Sequence, residues 1–73
     1  MSKWEAIDKL HSEFVSKLKE ERLRQNLSQE KLAEKAGISR RAIGMIEAGE
    51  IKPTLYNCFR ICSALGVNFR EMI

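Results

Sequence analysis

The sequence predicts an all-α protein, a compact bundle of five helices with an extended first helix. Apolar residues recur at spacings of three and four, the period of a helix that buries one face. No stretch alternates apolar and polar residues as a half-buried strand would. Capping residues and glycines divide the chain at short intervals, so the helices must pack as one unit. A chain of 73 residues suits one domain with one small core, and we expect that domain to span residues 1–73.

The first predicted helix is the longest. Ser2, followed three residues later by Glu5, fits the capping box that begins a helix. The apolar spacing continues to about Gln25, and Asn26 stands where a left-handed residue would end the helix. The predicted inner face of this helix consists of Trp4, Ile7, His11, Phe14 and Leu18.

The second and third predicted helices are short and separated by a tight turn. Ser28 is the predicted N-cap of the second helix, and Gly37 ends it with the positive φ that glycine tolerates. Ser39 then caps the third helix, and Gly49 stops it. The predicted inner positions are Leu32, Ala33 and Ala36 on the second helix, and Ile43 and Ile46 on the third.

Two further helices follow a loop over residues 49–53. Thr54 is the predicted cap of the fourth helix, and Gly66 ends it. Asn68 and Glu71 form a second capping box over a short fifth helix. The predicted inward residues are Leu55, Phe59, Cys62 and Leu65 on the fourth helix, with Phe69 and Met72 in the last turn.

Composition excludes some classes of protein and leaves others open. The apolar share of 44% and the charged share of 32% are those of an ordinary globular domain. The net charge of +3 is spread evenly and does not by itself indicate nucleic acid. No apolar run approaches the roughly 20 residues that cross a bilayer, or the signal-peptide h-region of roughly 7–15 residues. We therefore expect a cytoplasmic protein that does not bind membranes.

The cysteines and the single histidine do not favour catalysis or metal binding. Cys58 and Cys62 are one helical turn apart, where a disulfide would be strained, so we expect two reduced packing residues. A thiol or metal sensor is a weaker alternative, since a structural zinc site takes four ligands. His11 has no evident nucleophile partner and is expected to pack or to lie at an interface. We predict no enzyme activity, no metal and no cofactor.

The outward face of the third helix suits the major groove of DNA. With Ile43 and Ile46 inward, the opposite side of the helix is sparse, and residues 39–46 contain two arginines and no acid. An arginine fork matches the O6 and N7 acceptors of guanine, and a methionine can touch a thymine methyl. The outward residues are Arg41, Gly44, Met45 and Ala48, with Arg40 at the helix start.

Helix N-termini supply the expected phosphate contacts. Their free N–H groups and the positive end of the helix dipole favour an anion. Ser28 and Ser39 stand at two such ends, and Lys52 lies in the loop after the third helix. Gln29, the first residue of the second helix, can donate to a phosphate or reach into the groove.

The segment from about Phe14 to Ile73 resembles the helix-turn-helix family of lambda repressor and Cro, also called the XRE family. The resemblance is carried by SQEKLAEKAGISRRAIGMIEAG, by KPTL and by ALGVNFREM. It implies a five-helix lambda repressor-like fold and operator binding as a dimer. It also implies base contacts from Arg40, Arg41, Met45 and Gln29, and a structural ion pair between Arg22 and Glu47. Two positions depart from the family pattern: Asn26 replaces the usual glycine, and Gly44 replaces a residue that is usually polar.

We therefore expect a transcriptional regulator that binds a pseudo-palindromic DNA operator as a homodimer and needs no small-molecule ligand. Its size is similar to that of phage Cro-type regulators and of the small controller proteins of restriction-modification systems. The alternative is a protein-interaction module, such as an antitoxin-like partner, with DNA binding secondary. Trp4, Ile7 and Leu10 precede the family core, and they either cover that core or line a dimer seam.

Overall fold

Four α-helices and one short 3-10 turn make up the fold. The computed structural model describes residues 3–73, and no strand occurs within them. The predicted capping residue Ser2 lies outside the described residues. The elements are α1 (Lys3–Arg24), α2 (Gln29–Ala36), α3 (Arg40–Glu47), α4 (Leu55–Leu65) and the 3-10 turn Phe69–Glu71.

Side-chain caps begin three of the helices where the sequence predicts them. Ser28, Ser39 and Thr54 have extended backbone. The side-chain oxygen of each accepts a hydrogen bond from the N–H three residues later, at 3.0, 3.0 and 3.1 Å. Each cap satisfies one N–H that the first helical turn leaves without a partner, which fixes the helix start at that residue.

Left-handed residues end the helices and turn the chain. Asn26 has φ +58° and follows α1, which ends at Arg24. Gly37, directly after α2, has φ +69°. Gly49 has φ +77° and follows Ala48, the C-cap of α3. The interhelical turns are therefore set by residues that tolerate this backbone at little cost.

The core lies between the C-terminal half of α1 and the three following helices. Helix α2 packs on α3 and α4, and α1 packs across α3 and α4. The side chains with almost no exposure are Leu32, Ile43, Ile46 and Ile61. The remaining core residues are Phe14, Val15, Leu18, Ala33, Ala36, Cys58, Cys62 and Leu65.

The predicted inner face of α1 is wrong over its first two turns. Trp4 and Ile7 are 66% and 51% exposed, and the first buried residue of the helix is Phe14. A helix of 22 residues is about 33 Å long, whereas the two shorter dimensions of the molecule are 24 and 21 Å. The N-terminal half of α1 therefore extends beyond the helices that could cover it.

The predicted inner face of α4 is correct at Cys62 and Leu65 and wrong at Leu55 and Phe59. Leu55 is 58% exposed and Phe59 48% exposed, while Ile61 is buried. The helix packs on α2 and α1 through the stripe of residues 58, 61, 62 and 65, which leaves Leu55 and Phe59 at its border.

The predicted fifth helix is a single 3-10 turn. Asn68 Oδ1 accepts from the Arg70 N–H only two residues on, at 2.9 Å. The Glu71 N–H donates to the Asn68 carbonyl at 3.0 Å, the three-residue spacing of a 3-10 turn. Phe69 packs edge-on against Phe14 and Phe59, with ring centroids 5.5 and 5.0 Å apart. The turn therefore closes one end of the core without a regular helix.

Candidate nucleic-acid interface

The turn between α2 and α3 sets the angle of α3. Gly37 has left-handed backbone, and the Ile38 N–H donates to the Ala33 carbonyl at 3.0 Å. This hydrogen bond, from a residue after the turn to a carbonyl in the last turn of α2, is typical of a motif that ends helices. Ile38 is half-buried against the core. The turn is thus held by backbone bonds on one side and by packing on the other.

Helix α3 buries one face and presents two arginines on the other. Ile43 and Ile46 are 1% and 2% exposed, and they anchor the helix to the core. Arg40 and Arg41, in the first turn, are exposed. Met45, predicted to touch bases, is half-buried and borders the exposed face.

Glu47, the acid at the end of α3, is neutralised from inside the protein. Its carboxylate accepts two hydrogen bonds from the Arg22 guanidinium, from Nε at 2.7 Å and from Nη2 at 2.9 Å. Both side chains are less than 10% exposed, and Arg22 Nη1 also donates to the Leu27 carbonyl at 2.6 Å. Burial by itself raises the pKa of Glu47, but the hydrogen bonds from Arg22 and Gln29 outweigh it and lower that pKa. Glu47 therefore stays ionised and paired.

Gln29 belongs to the same network. Its Nε2 donates to Glu47 Oε1 at 3.1 Å, and since a carboxylate only accepts, the amide nitrogen must face Glu47. The amide oxygen then lies beside Gly44, where a Cβ would be 3.5 Å from it, an ordinary contact. Gln29 is half-buried, and the bond to Glu47 leaves its amide oxygen as an acceptor and its second N–H as a donor for a ligand.

The predicted phosphate-binding residues lie at exposed positions around α3. Ser28 and Ser39 each use an oxygen lone pair for capping, and the hydroxyl proton remains able to donate. Lys52 is 71% exposed, and its Nζ is 3.9 Å from Asp8 Oδ1. A solvated pair at that separation holds the lysine weakly, so its ammonium group can turn to another anion.

Arg60 supports the turn, and sequence reasoning missed it. Its Nε donates to the Ala36 carbonyl at the end of α2, at 2.9 Å. The guanidinium lies 5.5 Å from the Tyr56 ring centroid, and a Cβ at Gly37 would come within 2.5 Å of Nη2. Arg60 is the one charged residue of α4, and nothing in its own segment points to a carbonyl 24 residues earlier.

The remaining reactive side chains are packed into the domain. Cys58 and Cys62 are buried free thiols, and burial raises the pKa of each. His11 Nε2 is buried without a hydrogen-bond partner. Within residues 3–73, no cluster of three or more His, Cys, Asp or Glu side chains could hold a metal ion. In the same part of the chain, no helix has the length and apolarity needed to cross a membrane.

Comparison with known proteins gives a consistent set of matches. Residues 18–72 match the model of the helix-turn-helix family HTH_3. The chain is 37% identical over 57 residues to the uncharacterized HTH-type transcriptional regulator YgzD of Bacillus subtilis, covering 78% of this chain and 86% of that one. An uncharacterized HTH-type transcriptional regulator of Methanocaldococcus jannaschii is 42% identical over the same length and the same shares.

A solved structure has the same fold. The crystal structure of the restriction-modification controller protein C.AhdI from Aeromonas hydrophila superimposes with a TM-score of 0.81 and 33% sequence identity. The match covers 86% of this chain and 96% of that chain. The architecture of four helices and a 3-10 turn is thus a lambda repressor-like fold.

Proposed function

The chain belongs to the helix-turn-helix family of XRE and Cro/CI type, whose members are DNA-binding regulators and not enzymes, and we propose that it reads a pseudo-palindromic operator as a homodimer. In this proposal α3 enters the major groove, and the two copies place their α3 helices in successive grooves about 34–36 Å apart. Residues 1–73 act as one DNA-binding domain.

The observation that carries this proposal is the charge on the exposed face of α3. Arg40 and Arg41 are exposed at its N-terminal end. Glu47, the one acid of the helix, is turned inward and neutralised by Arg22. A groove-facing surface with cations and no free carboxylate attracts the phosphate backbone and leaves guanine acceptors as the best partners.

Each site residue has a distinct proposed role. Arg40 and Arg41 contact base edges, with Met45 against a thymine methyl where one is present. Gln29 contacts a base through its amide oxygen, which favours an amino group such as that of adenine or cytosine. The phosphate contacts come from Ser28 and Ser39 at the helix N-termini and from Lys52 in the loop after α3.

Selection of bound duplexes from a random DNA pool tests the proposal. We expect an enriched sequence with two-fold symmetry. On that duplex, Arg40→Ala and Arg41→Ala should each weaken binding by about 10- to 100-fold, as loss of a bidentate base contact does. Fluorescence anisotropy at fixed salt measures the change, since affinity falls steeply with salt when phosphates are contacted.

Arg70→Ala is the matched control, because Arg70 is an exposed arginine in the 3-10 turn, outside α2 and α3. It removes the same charge and should change affinity far less. If the pool yields no preferred sequence while the chain captures a protein partner, the regulator proposal fails and the interaction-module alternative replaces it. Equal losses for all three variants would mean that only total charge matters and that α3 does not read bases.

A further inference from the structure

An exposed apolar surface lies on the N-terminal half of α1, the N-terminal end of α4 and the C-terminal turn. A groove of about 320 Å³ runs between these elements. Phe14 and Cys58 form part of its floor, His11 also lines it, and among residues 3–73 no Asp, Glu, Lys or Arg does. Its exposed walls, called the apolar groove below, include Ile7, Leu10, Leu55 and Ile73, each between 51% and 63% exposed.

Two aromatic residues extend the same surface. Trp4 is one turn before Ile7 on the same face of α1 and is 66% exposed. Phe59 is 48% exposed and packs edge-on against Phe69, which lines the groove. At roughly 200 Å² for each large apolar residue, the six exposed side chains leave about 700 Å² uncovered. This exceeds the roughly 300–600 Å² of the largest patch on a typical monomer.

That area matches one side of a protein dimer. A standard interface buries about 800 Å² per partner, with an apolar centre and a charged rim. The surface also has complementary parts side by side: Ile7 and Leu10 project from α1, and the groove lies directly beside them. In an arrangement with two-fold symmetry, the ridge of each copy can enter the groove of the other, so one surface makes both halves of the contact.

We infer that a second copy of this chain docks on the apolar groove. The inference rests on the proposed function, which requires a homodimer, and it locates the seam. The N-terminal half of α1 lies outside the 18–72 segment that matches the family model, so the proposed contacts of Ile7 and Leu10 are not part of that family pattern. The groove is built from α1, α4 and the C-terminal turn, whereas the arginines lie on α3, so both surfaces can be occupied together.

Sedimentation velocity of the full chain over a concentration series tests the inference with a matched pair of variants. Leu10 and Leu23 are both on α1 and are 55% and 54% exposed, but only Leu10 lines the groove. Leu10→Glu should raise the dimer dissociation constant at least tenfold, because it places a carboxylate in an apolar seam. Leu23→Glu should leave that constant within about twofold of wild type, because a substitution on the surface outside the apolar groove has little effect on stability.

A second pair of variants controls for a folding defect. Leu55 and Tyr56 are neighbours on α4 with similar exposure, and only Leu55 lines the groove. Leu55→Glu should dissociate the dimer and Tyr56→Glu should not, with circular dichroism showing that each variant is folded. Added salt should not weaken the wild-type dimer, unlike a charged contact.

The outcomes separate the inference from the proposed function. A wild-type dimer that Leu10→Glu and Leu55→Glu leave intact overturns the inference and keeps the homodimeric regulator. A wild-type chain that stays monomeric overturns both the seam and the homodimer, and anisotropy on the selected duplex then shows whether DNA binding survives. If Leu23→Glu and Tyr56→Glu dissociate the dimer as well, the dimer responds to a negative charge anywhere on the chain, and this result would also overturn the inference.

Discussion

The helix-turn-helix of residues 28–48 and the apolar surface of α1 and α4 have the same helical spacing of apolar residues. The apolar residues are buried in the first region and exposed in the second. In the first region, the apolar positions chosen from spacing are the buried ones, and Leu32 and Ile43 are each 1% exposed. In the second, Ile7 and Leu55 have the spacing of core residues and are more than half exposed. Periodicity identifies the apolar face of a helix, but burial needs a neighbouring element opposite that face.

The difference in burial between the two regions is related to their proposed functions. Helices α2 and α3 are short, capped at both ends and packed against α1 and α4, so they hold the arginines of α3 on a rigid support. On the half of α1 that projects beyond them, the apolar side chains of Trp4, Ile7 and Leu10 are each more than half exposed. One region completes its core internally, and the other does so, in our proposal, only when a second copy is present.

Among the substitutions that test this comparison, Arg22→Ala should cause the largest loss of stability. It leaves the Glu47 carboxylate nearly buried without its bidentate partner and the Leu27 carbonyl without its bond. We expect a loss of about 3–5 kcal/mol in the free energy of unfolding, the usual cost of an orphaned buried charge. Urea denaturation followed by circular dichroism measures it.

Arg24→Ala is the control for that variant, because Arg24 pairs with Glu21 on the surface and is 70% exposed. The loss of that pair should change stability far less, since solvent and salt screen it. Equal losses for Arg22 and Arg24 would show that the buried pair does not hold α3 to α1.

A leucine pair compares the two regions with the same chemical change. Leu32→Ala removes a side chain that is 1% exposed and should cost about 2–5 kcal/mol through lost burial and a cavity. Leu55→Ala, at 58% exposure, should cost about 0.5 kcal/mol or less in the dilute monomer. Thermal and urea unfolding of both variants measure the two losses in stability. Comparable losses would mean that the groove belongs to the monomer core.

The smallest expected effect is a dependence on pH. The pKa of Glu47 is lowered from its ordinary 4.5 by the hydrogen bonds of Arg22 and Gln29. The unfolded chain therefore binds a proton at Glu47 before the native state does, and the stability from this carboxylate, complete above pH 4.5, is lost as pH falls through the lowered native pKa.

Glu47→Gln tests that dependence. The gap in unfolding free energy between wild type and this variant should be widest near neutral pH and should narrow below pH 4.5. Glu30→Gln, an exposed substitution in the first turn of α2, serves as the control and should show a smaller narrowing. A gap for Glu47→Gln that stays constant from pH 7 to pH 3 would contradict the predicted linkage.

Local chemistry made much of the fold predictable. The caps at Ser28, Ser39 and Thr54 and the left-handed Gly37 depend on residues within a few positions of one another, so the sequence specifies them directly. The interactions that orient the site could not be predicted from the sequence in this way. Gln29 meets Glu47 across 18 residues and Arg60 meets the Ala36 carbonyl across 24, and helical spacing says nothing about pairs on different helices.

The sequence alone determined the all-α class, the short capped helices of the helix-turn-helix and the two arginines at the start of α3, because each follows from local propensity and the 3.6-residue period. Tertiary structure decided that Asn68 begins a 3-10 turn and not a helix, and that Leu55 and Phe59 lie at the border of the core. It also decided that Gln29 is held by Glu47. These outcomes depend on how far one helix extends past another, which is set by packing between distant segments and not by neighbours along the chain.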